Sequence, residues 1–118
     1  MSLKSLLRGF ALAVFVPACS VAQELPPLPR QMPYQQARRV LVQMGYAPAV
    51  LSEARQKCSA ERSEICRAYT EAERCADAAP SRCSFLWNRD ERVIEVTTTG
   101  KMDLMVDRVR CRSGCAER

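Results

Sequence analysis

Cys83-Ser-Phe-Leu-Trp-Asn88 and Arg92-Val-Ile-Glu-Val-Thr-Thr-Thr99 decide the fold of this chain. In the first stretch Cys83, Phe85 and Trp87 fall on one side of an extended backbone. In the second, Ile94 and Val96 do the same, among Val and Thr residues whose branched Cβ suits a pleated surface. Period-two alternation of this kind predicts half-buried strands. Asn88-Arg-Asp-Glu91 supplies turn chemistry between them. Gly100 marks the next turn, and residues 104–111 predict a third strand. Consecutive strands on short links read as an antiparallel meander.

A helix is predicted upstream. Pro33 stands where the first turn tolerates proline, and Gly45 stands where a helix ends. Between them Ala37, Val40, Leu41 and Met44 recur at i, i+3, i+4, i+7, one apolar face of an amphipathic helix. Residues 46–51 read as a short extended piece, with Pro48 arguing for a sheet edge. Residues 52–78 contain neither Gly nor Pro and are rich in helix formers. They predict a helix over 52–65, then a loop pinned by cysteines. The expected architecture is α+β, with the 33–44 helix covering one face of a small antiparallel sheet, the whole stapled by disulfides.

Residues 1–22 read as a cleavable export signal. Lys4 and Arg8 charge its start, and Phe10-Ala-Leu-Ala-Val-Phe-Val16 is its apolar run. That run is much shorter than the roughly 20 residues needed to span a bilayer. Ser20-Val21-Ala22 before Gln23 fits ordinary signal peptidase. Val16-Pro17-Ala18-Cys19 resembles a lipobox, which makes Cys19 a candidate lipidation site; release after Ala22 is favoured. Residues 23–33, with Pro26, Pro27, Pro29 and Pro33, read as an extended linker. Residues 34–118 form a single small domain.

The chain has seven cysteines. Setting Cys19 aside leaves Cys58, Cys66, Cys75, Cys83, Cys111 and Cys115. An even set in a small exported domain reads as a disulfide framework, which supports cores too small to hold unaided. Many pairings are open to such a set. Cys75–Cys83 would close the loop feeding the first strand, Cys111–Cys115 would close over Ser113-Gly114, and Cys58–Cys66 would follow by elimination. Zinc sites want repeated close pairs, and only Cys111-x3-Cys115 fits. Disulfide-exchange chemistry wants C-x-x-C at a helix start, which the sequence lacks.

The formal net charge of +5 falls by two when Lys4 and Arg8 leave with the leader. Arginines alternate with glutamates along 30–74 and no helix-long or strand-long basic stripe stands out, so the surface reads as mixed in sign and nucleic-acid binding is not expected. The chain has no histidine. This removes the usual base near neutral pH and the imidazole metal ligand. Asp103 and Asp107 could share a strand face but read as solvent-facing. No glycine-rich phosphate loop occurs. No catalytic residue, metal or cofactor is expected. Trp87 and Tyr46 are the aromatics that could form a binding surface, although Trp87 shares its strand face with Phe85 and Cys83 and suits a core.

Leu41-Val-Gln-Met-Gly45-Tyr-Ala-Pro48, the spacing Cys66-x8-Cys75-x7-Cys83-x-Phe85-x-Trp87, and Val96-Thr-Thr-Thr-Gly100 together resemble a group of small exported proteobacterial proteins of uncharacterised function. The resemblance covers residues 33–100. It implies a helix ending in Gly-aromatic-x-Pro, a Cys-Tyr-Pro-Glu-like loop and a β-hairpin. Tyr69-Thr70-Glu71 replaces Tyr-Pro-Glu here, and Cys58, Cys111 and Cys115 stand as additions. In architecture the chain is also similar to PASTA modules, which associate with cell-wall material. Neither resemblance implies site residues. The sequence points to a periplasmic or secreted, non-enzymatic envelope protein that contacts a protein or cell-wall component. The alternative is a secreted enzyme inhibitor or toxin-like effector.

Overall fold

A computed structural model describes Ala11 and residues 25–115; the rest of the expected leader, Cys19 included, lies outside the described residues. In chain order the elements are α1 (Tyr34–Gln43), β1 (Ala47–Pro48), β2 (Lys57–Cys58), a 3-10 turn (Ala60–Arg62), α2 (Ser63–Ala68), β3 (Ala72–Ala76), β4 (Arg82–Arg89), β5 (Arg92–Thr99) and β6 (Met105–Ser113). The fold is α+β with three disulfides: Cys58–Cys66, Cys75–Cys83 and Cys111–Cys115. No helix among the described residues is long and apolar enough to cross a membrane.

The sheet has six strands in the order β2-β3-β4-β5-β6, with β1 pairing separately on β4. β4, β5 and β6 pair antiparallel. β2 and β3 pair in parallel, so the sheet is mixed and larger than a three-stranded meander. The two-residue turn between β4 and β5 places Asp90 at φ 54°, a left-handed conformation that Asp tolerates better than most residues. α1 ends as its sequence predicts. Gly45 takes φ 87°, its N–H donates to Val42 O, and the Tyr46 N–H donates to Leu41 O. This double bond closes the last turn in a Schellman arrangement.

Tyr34, Ala37 and Leu41 from α1 share one core with Phe85, Trp87, Ile94, Val96 and Val106 from the sheet, and with the buried Cys75–Cys83 bridge. Tyr34 stacks on Phe85 with ring centroids 4.0 Å apart, and Tyr69 meets both rings edge-on. A second, small cluster of Ala49, Leu51 and Leu86, with Val93 against it, sits on the opposite side of the sheet.

Two sequence expectations need correction. Residues 52–65 do not form one helix: the segment turns, enters β2, makes a 3-10 turn, and is helical only over Ser63–Ala68. The Cys58–Cys66 bridge and the pairing of β2 with β3 override the helix propensity of its Ala, Glu, Arg and Gln residues. The proline-rich stretch, read as a linker, packs on the domain from Leu25 onward. Leu28 is buried in the core, the Gln31 N–H donates to Val106 O, and the Val106 N–H donates to Met32 O.

Candidate functional site

Strand alternation gives β4 and β5 two chemically different faces. On the face covered by α1, some buried polar groups pair with one another, while Glu71 Oε2 and Thr98 Oγ1 have no hydrogen-bond partner among the described residues. Glu71 is fully buried. Its Oε1 accepts the Tyr34 hydroxyl at 2.9 Å and Arg38 Nε at 2.8 Å, and Trp87 Nε1 donates to the Tyr34 oxygen at 3.1 Å. The Arg38 guanidinium also lies over the Tyr69 and Trp87 rings. Burial, then the Glu71 charge, pushes the Tyr34 hydroxyl well above its ordinary value. Trp87 and Tyr46, offered by the sequence as a binding surface, are 0% and 3% exposed. Their polar ends are occupied within the protein: the Tyr46 hydroxyl accepts from Arg92 Nη1 at 2.9 Å.

The opposite face carries the candidate site. One cross-strand row runs Arg74–Ser84–Thr97–Arg108 through β3, β4, β5 and β6, each residue directly opposite the next. Arg82 lies two residues before Ser84 on the same face. The neighbouring row runs Leu86–Glu95–Arg110. A shallow concavity of about 450 Å³ is lined by Arg74, Arg82, Ser84, Thr97, Arg108 and the adjoining Glu95 cluster.

Within that cluster Glu95, 4% exposed, accepts Arg110 Nε at 2.6 Å and also Arg112 Nη1. Arg112 reaches on to Glu73 of β3 at 2.9 Å. Hydrogen bonding to Glu73 leads the causes that raise the Arg112 guanidinium above its ordinary value. The next row has no such carboxylate. Thr97 takes the place on β5 that Glu95 takes two residues earlier, and its hydroxyl bonds only the Arg108 carbonyl, at 3.3 Å. Arg74, Arg82 and Arg108 are exposed and make no ion pair among the described residues.

A basic stripe is nonetheless present that a search along single helices or strands does not register. The stripe runs across strands, not along one, and gathers arginines more than thirty residues apart in sequence. One local signal could have pointed to it: Arg108 and Arg110 alternate along the strand predicted over 104–111, and Arg112 follows at the same spacing.

A comparison with family models, curated proteins and solved structures finds no match for this chain. The site must therefore be read from its own chemistry. Five arginines against Glu73 and Glu95 make the face positive, with hydroxyls between the charges. Among the described residues no group of three or more Cys, Asp or Glu side chains is placed to hold a metal ion. All six framework cysteines are in bridges, so none offers a thiolate. Asp103 is exposed in the β5–β6 turn, while Asp107 on β6 pairs with Arg30 at 3.1 Å. The two aspartates do not converge with the arginine row.

On the covered side, a second groove of about 570 Å³ lies between the start of α1, α2 and the β5–β6 turn. Arg62 lines it and is 4% exposed; its Nη2 donates to Gly100 O at 3.1 Å, which ties the turn to the 3-10 segment. Glu61, Glu64 and Asp103 around this groove offset Arg62 and Lys101. The open face has the larger charge imbalance and the more accessible donors.

Proposed function

We propose that this chain is an exported, non-enzymatic binding module of the bacterial envelope, and that it holds an anionic protein or cell-wall component on the open face of its sheet. The observation that carries this reading is the row Arg74–Ser84–Thr97–Arg108, flanked by Arg82, in which three exposed guanidinium groups have no carboxylate partner among the described residues. Guanidinium groups suit carboxylate and phosphate oxygens because their N–H donors form a rigid planar fork. The export signal and the disulfide framework support an oxidising compartment. The resemblance to small exported proteobacterial proteins points the same way. The absence of histidine from the chain, and the burial of Glu71 and Tyr34 away from solvent, support binding over catalysis.

Co-sedimentation of the oxidised protein with envelope fractions tests the reading. Binding should weaken as salt rises, because screening between exposed charges extends only about 10 Å at 0.1 M. The variant R74E/R82E/R108E should release the protein at all salt concentrations. Unchanged sedimentation of that variant would remove the open face from the interaction.

A further inference from the structure

We infer that the Arg74–Ser84–Thr97–Arg108 row is a site for a phosphomonoester, the class of ligand taken by the binding surface proposed above. The inference rests on that reading for its location and on the chemistry of the row for its ligand.

The neighbouring row shows what the arginines of this face do when an anion is present. Glu95 draws Arg110 and Arg112 onto its two oxygens. In the adjacent row Thr97 replaces the carboxylate, so among the described residues the charges have no anion of their own. Arg74 and Arg108 stand at the two ends, with three strand spacings, about 14 Å, between their backbones. Long side chains leaning inward from both ends can meet above Ser84 and Thr97, and Arg82 approaches from the same side of β4. A ligand seated there meets guanidinium groups from separate directions and the Ser84 hydroxyl from below, the Thr97 hydroxyl being engaged with the Arg108 carbonyl. A planar carboxylate is satisfied by one bidentate arginine. A tetrahedral dianion with three terminal oxygens uses several donors at once.

A nucleic-acid backbone is less well matched. Single strands bind by stacking bases on aromatic rings between the charges. Here Tyr34, Phe85 and Trp87 are sealed in the core on the other side of the sheet. The phosphate is therefore read as a terminal monoester, carried either by a small soluble molecule or by a lipid headgroup.

The test is calorimetric titration of the oxidised protein with glycerol phosphate, and with phosphatidylcholine vesicles with and without phosphatidic acid. Acetate at equal ionic strength is the control. Replacing Arg74 and Arg108 together by Gln should weaken binding about tenfold or more, since each removes a charge-assisted donor. The exposed pair Arg39→Gln and Arg55→Gln carries the same charge change elsewhere and should stay within about twofold. Ser84→Ala should weaken binding without altering net charge.

Binding of glycerol phosphate assigns a soluble ligand; binding only to phosphatidic acid vesicles assigns a lipid headgroup. Either supports the site. Binding of neither probe, acetate binding as tightly, or equal weakening by the two double variants would overturn it. The two proposals fail separately. If neither phosphate probe binds while R74E/R82E/R108E still releases the protein from envelope fractions, the phosphate site falls and the open-face reading stands. If phosphate binding depends on Arg74 and Arg108 while envelope sedimentation survives the triple charge reversal, the open-face reading falls and the phosphate site stands.

Discussion

The two faces of one sheet solve the problem of charge in opposite ways. Under α1, a fully buried carboxylate, Glu71, has a hydroxyl and a guanidinium on one oxygen, and the hydroxyl receives an indole N–H. The face is apolar, enclosed, and linked by internal hydrogen bonds. Across the sheet, arginines outnumber acids and lie in water, where an unpaired charge carries little penalty. The comparison teaches that enclosed packing and exposed charge are divided between faces of the same strands. Residue parity along β4 and β5 assigns each side chain to one task.

Truncating the enclosed face should give the largest effect. Trp87→Ala removes a 0% exposed ring from the centre of the core and should lower stability by about 3–5 kcal/mol in denaturant unfolding of the oxidised protein. A loss below that of an ordinary surface change would break the division between faces. Replacing Cys75 and Cys83 by Ser should cost about 2–4 kcal/mol, because their bridge joins β3 to β4 inside the core. The same change at Cys111 and Cys115, which close a loop of only 4 positions near the exposed end of β6, should cost less. Comparing the two double variants in one unfolding series checks this order.

Tyr34→Phe sharpens the comparison within the buried network. It removes one donor to Glu71 and leaves the Trp87 N–H without its acceptor, for an expected loss of about 1–3 kcal/mol. The same variant should alter alkaline behaviour. The folded-state Tyr34 hydroxyl titrates above its unfolded value, so its contribution is complete below about pH 10, the ordinary tyrosine range, and is lost as pH rises through the folded value. Unfolding free energy measured from pH 8 to 11 should fall at the alkaline end in the wild type, and fall less steeply in Tyr34→Phe. Parallel profiles would show that Tyr34 does not carry this dependence.

The smallest expected effect lies on the open face. Arg74→Gln and Arg108→Gln should each change stability by no more than about 0.5 kcal/mol, because both side chains are exposed and make no ion pair among the described residues. Thermal or denaturant unfolding of each variant measures this directly. A loss as large as that of Tyr34→Phe would mean the arginine row is part of the fold and not a surface held ready for a ligand.

The strands over 82–99 were legible because Cys83, Phe85, Trp87, Ile94 and Val96 alternate cleanly and β-branched residues fill the spaces between. The helix was legible through its ends, Pro33 and Gly45, and through its stripe at Ala37 and Leu41, both fully buried. The 52–65 helix failed for the opposite reason. Its composition favours helix, and so does that of Ala72-Glu-Arg-Cys-Ala76, yet the latter is β3. Each isolated preference is worth only tenths of a kcal/mol per residue. Pairing of β3 with β2 on one side and β4 on the other, with the Cys58–Cys66 and Cys75–Cys83 bridges, outweighs them.

By itself the sequence determined the α+β class, the principal strands and their buried side, the amphipathic helix, and a disulfide framework in three bridges. These follow from local periodicity, turn residues and cysteine spacing, all of which act over short stretches of chain. Only the tertiary structure decided the parallel placement of β2, the docking of 28–33 along β6, the sealing of Glu71 by Tyr34 and Arg38, and the arginine row. Each of these depends on strand register. A shift of one residue in the pairing of β3, β4, β5 and β6 would turn alternate side chains to the other face and scatter Arg74, Ser84, Thr97 and Arg108. That register is held by the packing of the enclosed face, which no local pattern of charges along the chain could reveal.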